Sequence, residues 1–342
     1  MGGQEDPGAM RVSIIGAGLQ GRRRAGALRH DDGDRLVAVA DIDLQAARCL
    51  ASRYGAQATV DWRAAVEHPD VEAVLVCTPP SAHAPAASAA LGLGRHVLCE
   101  KPLAHDLPSV RGMMAAPRQN GAILKCGFNH RHHPGLRQAH EWVSEGRIGL
   151  VTHIVCRYGI GGRPGYEREW RGRPEAGGGQ LMDQGMHVLD LFRWFMGEFQ
   201  TAFGVLATSY WPVEPLEDNV FAILTTKAGG AASLHASWTR WRNLFSFEVF
   251  GRDGYAAVEG LGGSYGTERA ILGPRAFLEP FREEVVEYRG DDTSWSAEWE
   301  EFVAATREGR QPLGSGEDGL EAQRMADAIY RSARSGRREL IQ

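Results

Sequence analysis

The chain has 342 residues, a length that predicts two domains. Apolar residues make up 43% of it and charged residues 24%, which are ordinary proportions for a globular protein with a large core. The formal net charge of -5 argues against a nucleic-acid-binding protein, because such a protein needs a basic excess on one face.

Residues 1–10 begin the chain with a polar, Gly-rich stretch. It has no basic region followed by an apolar one, so it lacks the pattern of a signal peptide and predicts a disordered leader. No apolar run further along approaches the roughly 18 residues of a membrane span, and we expect no membrane partner. Reduced thiols in a cytoplasmic protein are expected, because no CxxC pair occurs among the five cysteines: Cys49, Cys77, Cys99, Cys126 and Cys156.

Residues 11–130 alternate short apolar runs with helical patterns. The apolar runs are typical of strands and cover residues 11–15, 36–40, 71–77, 96–99 and 122–128. The helical patterns cover residues 19–30, 44–54, 84–93 and 106–119. Strands that alternate with helices predict βαβ units and therefore a doubly wound parallel sheet of the α/β class.

The pattern changes in residues 131–342. Residues 134–145 predict one helix, and residues 295–308 and 319–335 predict two closing helices. Between them lie paired strands with hairpin spacers, at residues 220–226 with 231–238 and 244–250 with 255–259. Antiparallel strands with a few helices predict an α+β domain with a large, mainly antiparallel open sheet.

A G-x-G-x-x-G sequence follows the first predicted strand and opens the first predicted helix. Its glycines are Gly16, Gly18 and Gly21, with Leu19 and Gln20 between the last two. Asp41 ends the next strand, 20 residues after Gly21. This context predicts a dinucleotide-binding Rossmann domain. The glycines permit a tight turn near the pyrophosphate, the helix N-terminus favours its charge, and the acid binds the ribose diol.

Asp41 also bears on the choice between NAD and NADP. A carboxylate at this position accepts hydrogen bonds from a 2′-hydroxyl and repels a 2′-phosphate. The next residues, Ile42 and Asp43, provide no arginine that would reverse this preference, so NAD is the expected cofactor. Residues 22–24, all arginine, are expected to form a solvated face of the first helix.

Further motifs make the chain similar to a known family. They are Cys77-Thr-Pro-Pro80 with His83 after it, Glu100-Lys-Pro102, Gly127-Phe-Asn-His-Arg131 with Pro134, and the Gly-rich block 177–190. On these motifs and the glycine fingerprint, the chain from Arg11 onward resembles the Gfo/Idh/MocA family of oxidoreductases.

The resemblance implies a catalytic lysine at Lys101, with Asp183 and His187 as its partners. It also implies that further cofactor-binding residues accompany the glycines, Asp41 and Ile42: Thr78, Pro79, His83, Glu100, Lys101 and Asn129. Similar enzymes associate through their open sheets, so a homodimer or homotetramer is expected. The aromatic side chains that we expect such an interface to cover are Trp238, Phe245 and Phe247.

The three catalytic candidates also make chemical sense from the residues alone. Asp183 and His187 are four residues apart, so on a helix they share one face. An imidazole passes protons near neutral pH, and a neighbouring carboxylate orients it and supports its cation. Lys101 places a positive charge where an alkoxide develops as hydride leaves. The residues leave open whether Lys101 or His187 accepts the proton; similar enzymes favour His187.

Other residues are weaker candidates, each with an alternative as ordinary surface or core. Candidates for contact with substrate are Arg131, Tyr158, Trp170, Arg171 and Trp238. Trp241 shares with Trp238 a position where an indole can stack on a sugar ring. His130, His132 and His133 cluster in sequence, but no acidic or Cys partner stands at ligand spacing, so no metal site is expected.

Together these features predict an NAD-dependent oxidoreductase that transfers a hydride between the nicotinamide and a secondary alcohol or ketone. The candidate substrates are a sugar, an inositol, a nucleotide sugar and an aminoglycoside-type sugar. Two alternatives remain: a glycoside lyase or hydrolase that uses NAD transiently, and a non-catalytic dinucleotide-binding regulator. Residues 1–10, 11–130 and 131–342 are then expected to be the leader, the Rossmann domain and a substrate-binding and oligomerisation domain.

Overall fold

The computed structural model describes residues 9–116, 118–278, 280 and 282–342. Apart from its last two residues, the predicted leader lies outside the described residues. Internal contacts divide the chain into two compact units. Unit 1 comprises the chain up to Phe128 and the later segment Trp295–Leu320, and unit 2 comprises Asn129–Ser294 and Glu321–Gln342.

Unit 1 is built around a six-stranded sheet with the strand order β3-β2-β1-β4-β5-β6. The strands are β1 (Arg11–Ile15), β2 (Arg35–Ala40), β3 (Gln57–Thr59), β4 (Ala73–Val76), β5 (His96–Glu100) and β6 (Leu124–Gly127). All neighbouring pairs are parallel, which confirms the predicted doubly wound sheet. The strand order reverses between β1 and β4, and ligands bind at the carboxyl ends of strands at such a point.

Helices connect these strands. They are α1 (Leu19–Ala27), α2 (Leu44–Ala51), α3 (Trp62–Glu67), α4 (His83–Gly92) and α5 (Leu107–Ala115). The four predicted helices begin within one residue of these positions and end earlier than predicted. Strand β3 and helix α3 were not predicted, because segments of three and six residues are too short to show a periodic pattern.

The segment Trp295–Leu320 belongs to unit 1, although the predicted boundary at residue 131 assigned it to the second domain. Within it, helix α8 (Ser294–Glu308) buries Trp299 and Phe302 in the apolar cluster under β1. This burial ties a late part of the chain to the first sheet. The same cluster contains Met10, so the last residue assigned to the leader is part of the core.

Unit 2 is built around a nine-stranded sheet with the strand order β14-β13-β12-β11-β7-β10-β9-β8-β15. Strands β7 and β10 pair in parallel, and the other neighbouring pairs are antiparallel, which confirms the mainly antiparallel sheet. The strands are β7 (Val151–Gly159), β8 (Phe199–Ala207), β9 (Asn219–Thr226), β10 (Ala231–Ser237), β11 (Leu244–Gly251), β12 (Gly254–Glu259), β13 (Glu268–Pro274), β14 (Glu284–Tyr288) and β15 (Glu339–Leu340).

Helices cover one face of this sheet. Helix α6 (Pro134–Ser144) packs on β12 and β13, and α7 (Met186–Met196) contacts β7. Helix α9 (Gly316–Ser335) begins in unit 1 and continues in unit 2, where Ser332 receives a hydrogen bond from the backbone of Gly204 in β8. None of the helices in the described part of the chain is long and apolar enough to span a membrane.

The opposite face of the sheet exposes apolar side chains. Trp238, Phe245 and Phe247 are fully buried, so the expectation that they need covering by another subunit is wrong. Alternating residues of β8 and β9 are exposed instead, and they lie opposite one another in the strand register: Phe203 with Ile223 and Val205 with Phe221.

Candidate active site

The loop between β1 and α1 has the geometry of a pyrophosphate-binding turn. Gly16 has a φ of 100°, and a Cβ there would lie 2.7 Å from the backbone of Cys77. A Cβ on Gly21 would lie 1.9 Å from the carbonyl oxygen of Gly16. A Cβ on Gly18, which caps α1, would meet no atom within 4 Å. The open space at this helix N-terminus fits a dinucleotide phosphate group.

Asp41 lies beside this loop. Its Oδ2 accepts a 2.6 Å hydrogen bond from the backbone N–H of Ala17, and its Oδ1 accepts a 2.9 Å bond from the N–H of Asp43. These contacts hold the carboxylate at the end of β2, where it can accept from a ribose hydroxyl. Ile42 is 97% exposed, and Gln20 buries its Oε1 without a hydrogen-bond partner.

His83 joins the loops that follow β4 and β5. Its Nε2 lies 2.7 Å from the carbonyl oxygen of Thr78, and its Nδ1 lies 2.9 Å from that of Pro102. Burial lowers the pKa of His83, and the charge of Lys101 contributes in the same direction. Thr78 Oγ1 is buried without a hydrogen-bond partner, next to Pro79 at the carboxyl end of β4. That hydroxyl is available to a cofactor.

Glu100, the last residue of β5, is held by the protein itself. Its Oε1 accepts a 2.7 Å hydrogen bond from Nε of Arg24, which also donates to Glu298 at 2.5 Å. Burial opposes the charge of Arg24, but the two carboxylates outweigh it and raise the pKa of the guanidinium. The prediction of a solvated helix face is therefore wrong for Arg24. Because Glu100 directly precedes Lys101, this ion pair fixes the backbone that carries the catalytic candidate.

In unit 2, Asp183 and His187 lie on a helix that changes pitch. Leu181–Gly185 is a π-helical turn, and α7 continues from its end. Such turns are rare and occur frequently at functional sites. The two residues were expected on one regular α-helix. Instead, Asp183 lies in the π-helical turn and His187 in the α-helix that follows it. Both residues are buried, and each is 7% exposed.

Asp183 forms an ion pair with Arg171. Arg171 Nε donates to Asp183 Oδ2 at 3.0 Å, and Arg171 also donates to Glu169 at 3.0 Å. The carboxylate of Asp183 is the main cause of a raised pKa at Arg171. The guanidinium lies 4.9 Å from the ring centroid of Trp170. These contacts hold the carboxylate of Asp183 against Arg171, and the predicted contact of Arg171 with substrate stays a prediction.

Glu217 supports the start of the π-helical turn. Its Oε1 accepts hydrogen bonds from the backbone N–H of Leu181 at 2.9 Å and from the hydroxyl of Tyr330 at 3.1 Å. Burial raises the pKa of Glu217 to about 7. The π-helical turn that contains Asp183 is therefore hydrogen-bonded to a titratable group.

His187 is flanked by an aromatic and polar cluster. The imidazole of His130 stacks on that of His187, with ring centroids 3.8 Å apart and planes 16° apart. His130 Nε2 lies 3.1 Å from the hydroxyl of Tyr158. Tyr158 contacts the ring of Tyr265, whose hydroxyl accepts a 2.9 Å hydrogen bond from Gln184. Burial raises the pKa values of both tyrosines, so both hydroxyls are protonated donors at neutral pH.

Two of the weaker substrate candidates are buried. Arg131 donates two hydrogen bonds to Asp190, at 2.8 and 2.6 Å, and its contact with substrate stays a prediction. Trp238 is fully buried and packs against Tyr166 in a core cluster, which corrects the prediction of a sugar-stacking ring. Asn129, predicted to bind cofactor, donates to Ser294 at 2.9 Å.

Four residues around Asp183 and His187 were not among the predicted site residues: His130, Gln184, Glu217 and Tyr265. The first two lie inside the family motifs and could have been selected with them. Glu217 and Tyr265 come from separate loops, and nothing in their spacing connects them to Asp183. Among the described residues, no group of three or more His, Cys, Asp or Glu side chains could hold a metal ion. None of the five cysteines forms a disulfide bond.

Comparison with known families identifies both halves of the chain. Residues 10–128 match the oxidoreductase family with an NAD-binding Rossmann fold, named GFO_IDH_MocA. Residues 136–257 match a C-terminal domain of the same group, GFO/IDH/MocA.

Individual relatives are dehydrogenases and reductases. The chain is 29% identical to inositol 2-dehydrogenase of Rhizobium meliloti over 94% of its length and 96% of the relative's. It is 31% identical to 1,5-anhydro-D-fructose reductase of Ensifer adhaerens over 71% of its length and 74% of the relative's. With levoglucosan dehydrogenase of Pseudarthrobacter phenanthrenivorans it is 33% identical over 56% of its length, and the match spans half of that relative.

A solved structure shares the fold over nearly the whole chain. Levoglucosan dehydrogenase in complex with NADH and levoglucosan superposes with a TM-score of 0.88 and 24% sequence identity. The match covers 98% of this chain and 99% of that one.

Proposed function

The chain belongs to the Gfo/Idh/MocA family of oxidoreductases with an NAD-binding Rossmann fold, and on that premise we propose that it moves a hydride to or from a carbinol carbon of a sugar-like polyol. One observation carries the proposal. The backbone N–H of Ala17 in the glycine loop donates to Asp41 at 2.6 Å, so a phosphate-binding turn and a ribose-binding carboxylate form one cofactor site.

The described residues of unit 1 fit this cofactor. When bound, NAD supplies the nicotinamide that exchanges the hydride with the substrate. The open turn at Gly18 would hold the pyrophosphate, Asp41 the ribose diol, and the unused hydroxyl of Thr78 a polar group of the dinucleotide. Asp41 supports NAD over NADP, because its charge repels a 2′-phosphate.

We assign the chemistry to Lys101, Asp183 and His187. In the oxidation direction His187 takes the proton of the substrate hydroxyl, and Lys101 stabilises the developing alkoxide with its charge. Asp183 supports the cationic form of the imidazole, and Arg171 holds the orientation of its carboxylate. The stack of His130 on His187 keeps the plane of the proton-accepting ring fixed.

The proposed substrate class is a polyhydroxylated ring: a sugar, an inositol, a nucleotide sugar or an aminoglycoside-type sugar. Relatives named for inositol, levoglucosan and 1,5-anhydro-D-fructose support this class. The two tyrosine hydroxyls near His187 and the amide of Gln184 are hydrogen-bonding groups of the kind that polyols need. The absence of disulfide bonds among the five cysteines supports a reducing, cytoplasmic location.

A substrate screen tests the proposal. Purified protein is incubated with NAD and a panel of cyclic polyols, free sugars and sugar conjugates, and NADH absorbance and product mass are recorded, with Lys101→Ala as the control. Net NADH formation that depends on Lys101 supports a dehydrogenase. A changed product without net NADH would support the lyase or hydrolase alternative instead. NAD binding with no product from any member of the panel would support a regulator.

A further inference from the structure

A cavity of about 960 Å³ lies in unit 2, outside the residues assigned to catalysis. It opens where β7 and β10 end and β11 begins, since Gly159 pairs with both Ser237 and Leu244 in the strand register. The loop after β10 and the loop after β12 form its rim. Its volume is within the range of sites that bind nucleotide-sized ligands.

Three arginines in the cavity wall lack carboxylate partners. Arg157 comes from β7, and Arg240 and Arg242 come from the loop after β10. None forms an ion pair with any carboxylate of the described chain, and the hydrogen bond of the Arg157 side chain is to the hydroxyl of Ser246 at 3.3 Å. Nε of Arg240 is buried without a hydrogen-bond partner. The wall therefore holds three positive charges and an unsatisfied donor.

The carboxylates of the same wall are already used. Glu259 is paired with Arg269, and Glu287 is paired with Arg289. Burial lowers the pKa of Arg240, and the charges of Arg157 and Arg242 lower it further. A cluster of like charges is unfavourable unless an anion joins it, so the arrangement favours an anionic ligand.

We propose that this cavity binds a phosphate-bearing ligand, with Arg157, Arg240 and Arg242 as its phosphate site. Planar guanidinium groups match phosphate oxygens in pairs and hold them more specifically than ammonium groups do. The hydroxyl of Ser246 adds a neutral donor. Trp241 in the same wall is 67% exposed and offers an indole face on which a base or sugar ring can stack.

The cavity shares a wall with the cluster around His187. Tyr265 and Phe245 line the cavity. The hydroxyl of Tyr265 accepts from Gln184, which neighbours Asp183 in the chain, and Phe245 packs against Tyr158. A phosphate held here is thus either part of a substrate, as in a nucleoside-diphosphate sugar, or a separate anion that acts through this wall.

Calorimetric titration of the full-length protein tests the site directly. Inorganic phosphate, pyrophosphate and UDP are titrated in the presence of saturating NAD, which occupies the phosphate-binding turn at Gly18. We expect binding that weakens with added salt, because the contacts are charge-assisted. Arg240→Gln and Arg242→Gln should each weaken pyrophosphate binding by about 10–100-fold, the loss of one charge-assisted contact. The pyrophosphate affinity of Arg240→Lys should lie between that of the unmodified protein and that of Arg240→Gln, since lysine keeps the charge but loses the planar guanidinium.

Arg275→Gln is the matched control. It removes the same charge from an exposed arginine that is paired with Asp253, at the opposite end of β12 and β13. It should leave pyrophosphate binding within about twofold of the unmodified protein. An equal loss in Arg275→Gln and Arg240→Gln would overturn the site, and so would the absence of any binding at about 10 mM pyrophosphate.

Two further measurements distinguish the sources of the phosphate. Pyrophosphate that raises KM for the best substrate of the screen assigns the phosphate to the substrate. Pyrophosphate that changes kcat at constant KM assigns it to a separate effector, and both results support the site. Light scattering that shows loss of self-association in the arginine variants, with pyrophosphate binding unchanged, would mean that another subunit covers the arginines. Because the three arginines are assigned neither to the cofactor nor to catalysis, failure here leaves the proposed oxidoreductase activity untouched.

Discussion

The imidazole rings of His130 and His187 are stacked at a centroid distance of 3.8 Å. Tyr158 lies against the ring of His130, with its hydroxyl 3.1 Å from His130 Nε2. Because His130 is held between His187 and Tyr158, its ring has little freedom to rotate. The orientation of the proposed proton acceptor therefore depends on a residue that does not itself need to touch substrate.

Substitutions of His130 distinguish the contribution of its ring stacking to kcat from that of its ring nitrogens. His130→Ala removes the stacking partner and should lower kcat about 10-fold or more, because a small misplacement of a catalytic group is costly. His130→Phe keeps a flat ring and should recover most of kcat, with KM changed less than kcat in both variants. Steady-state kinetics across pH measures this. Equal losses in the two variants would show that the nitrogens of His130, and not its stacking, matter.

Asp41 should determine the choice of cofactor. Its carboxylate is fixed by the N–H groups of Ala17 and Asp43, so it cannot turn away from a 2′-phosphate at little cost. We expect NADH to bind more tightly than NADPH. Asp41→Ala combined with Ile42→Arg should shift the preference toward NADPH, and calorimetry with both cofactors measures the ratio. Tighter binding of NADPH by the unmodified protein would contradict this role.

Glu217 should make stability depend on pH. Its pKa is raised from 4.5 to about 7 by burial, so the folded state favours the protonated form. The stabilisation is fully present below pH 4.5 and is lost as pH rises through 7, by on the order of 3 kcal/mol. Glu217→Gln removes this titration.

Denaturant unfolding at several pH values between 4.5 and 8 checks this expectation. The free energy of unfolding of Glu217→Gln, relative to the unmodified protein, should rise with pH. The difference between the two proteins cancels titrations elsewhere in the chain. A difference that stays constant with pH would contradict the raised pKa of Glu217.

The open face of the unit 2 sheet should mediate self-association. Phe203, Val205, Phe221 and Ile223 form a contiguous exposed apolar patch on β8 and β9. We expect a symmetric dimer or tetramer by light scattering at micromolar concentration. Phe221→Arg should reduce the mass, and Val285→Arg on the edge strand β14 is the matched control. A monomeric mass for the unmodified protein would contradict this prediction.

Much of the fold follows from local pattern. The continuous apolar run around β4 and the glycines before α1 identify the parallel sheet and its turn without any other information. The contribution of Trp299 and Phe302 to unit 1 was not predictable, because it depends on a contact between segments almost three hundred residues apart. The same limit applies to the faces of the second sheet. Alternation shows that Phe245 and Phe247 share a face but not that helices cover it.

In the candidate site, too, local residues were predictable and contacts between distant segments were not. Gly16, Gly18, Gly21 and Asp41 lie in one segment of chain, and their spacing predicted their arrangement. Arg24 was misjudged because its burial depends on two distant carboxylates. Trp238 was misjudged because a strand end does not reveal which side of the sheet it packs against. Partners that arrive from separate loops leave no spacing to detect.

The rate of NADH formation by Lys101→Ala and His187→Ala, with the best substrate of the screen, tests the proposed reaction most directly. Each should lower kcat about 10²–10⁴-fold, the range for a charge-stabilising or proton-transferring group. NAD affinity should change far less, because the glycine turn and Asp41 are intact. The double variant should lose less than the product of the two effects, since both groups act on one alkoxide. Full activity in either single variant would show that the active site is elsewhere.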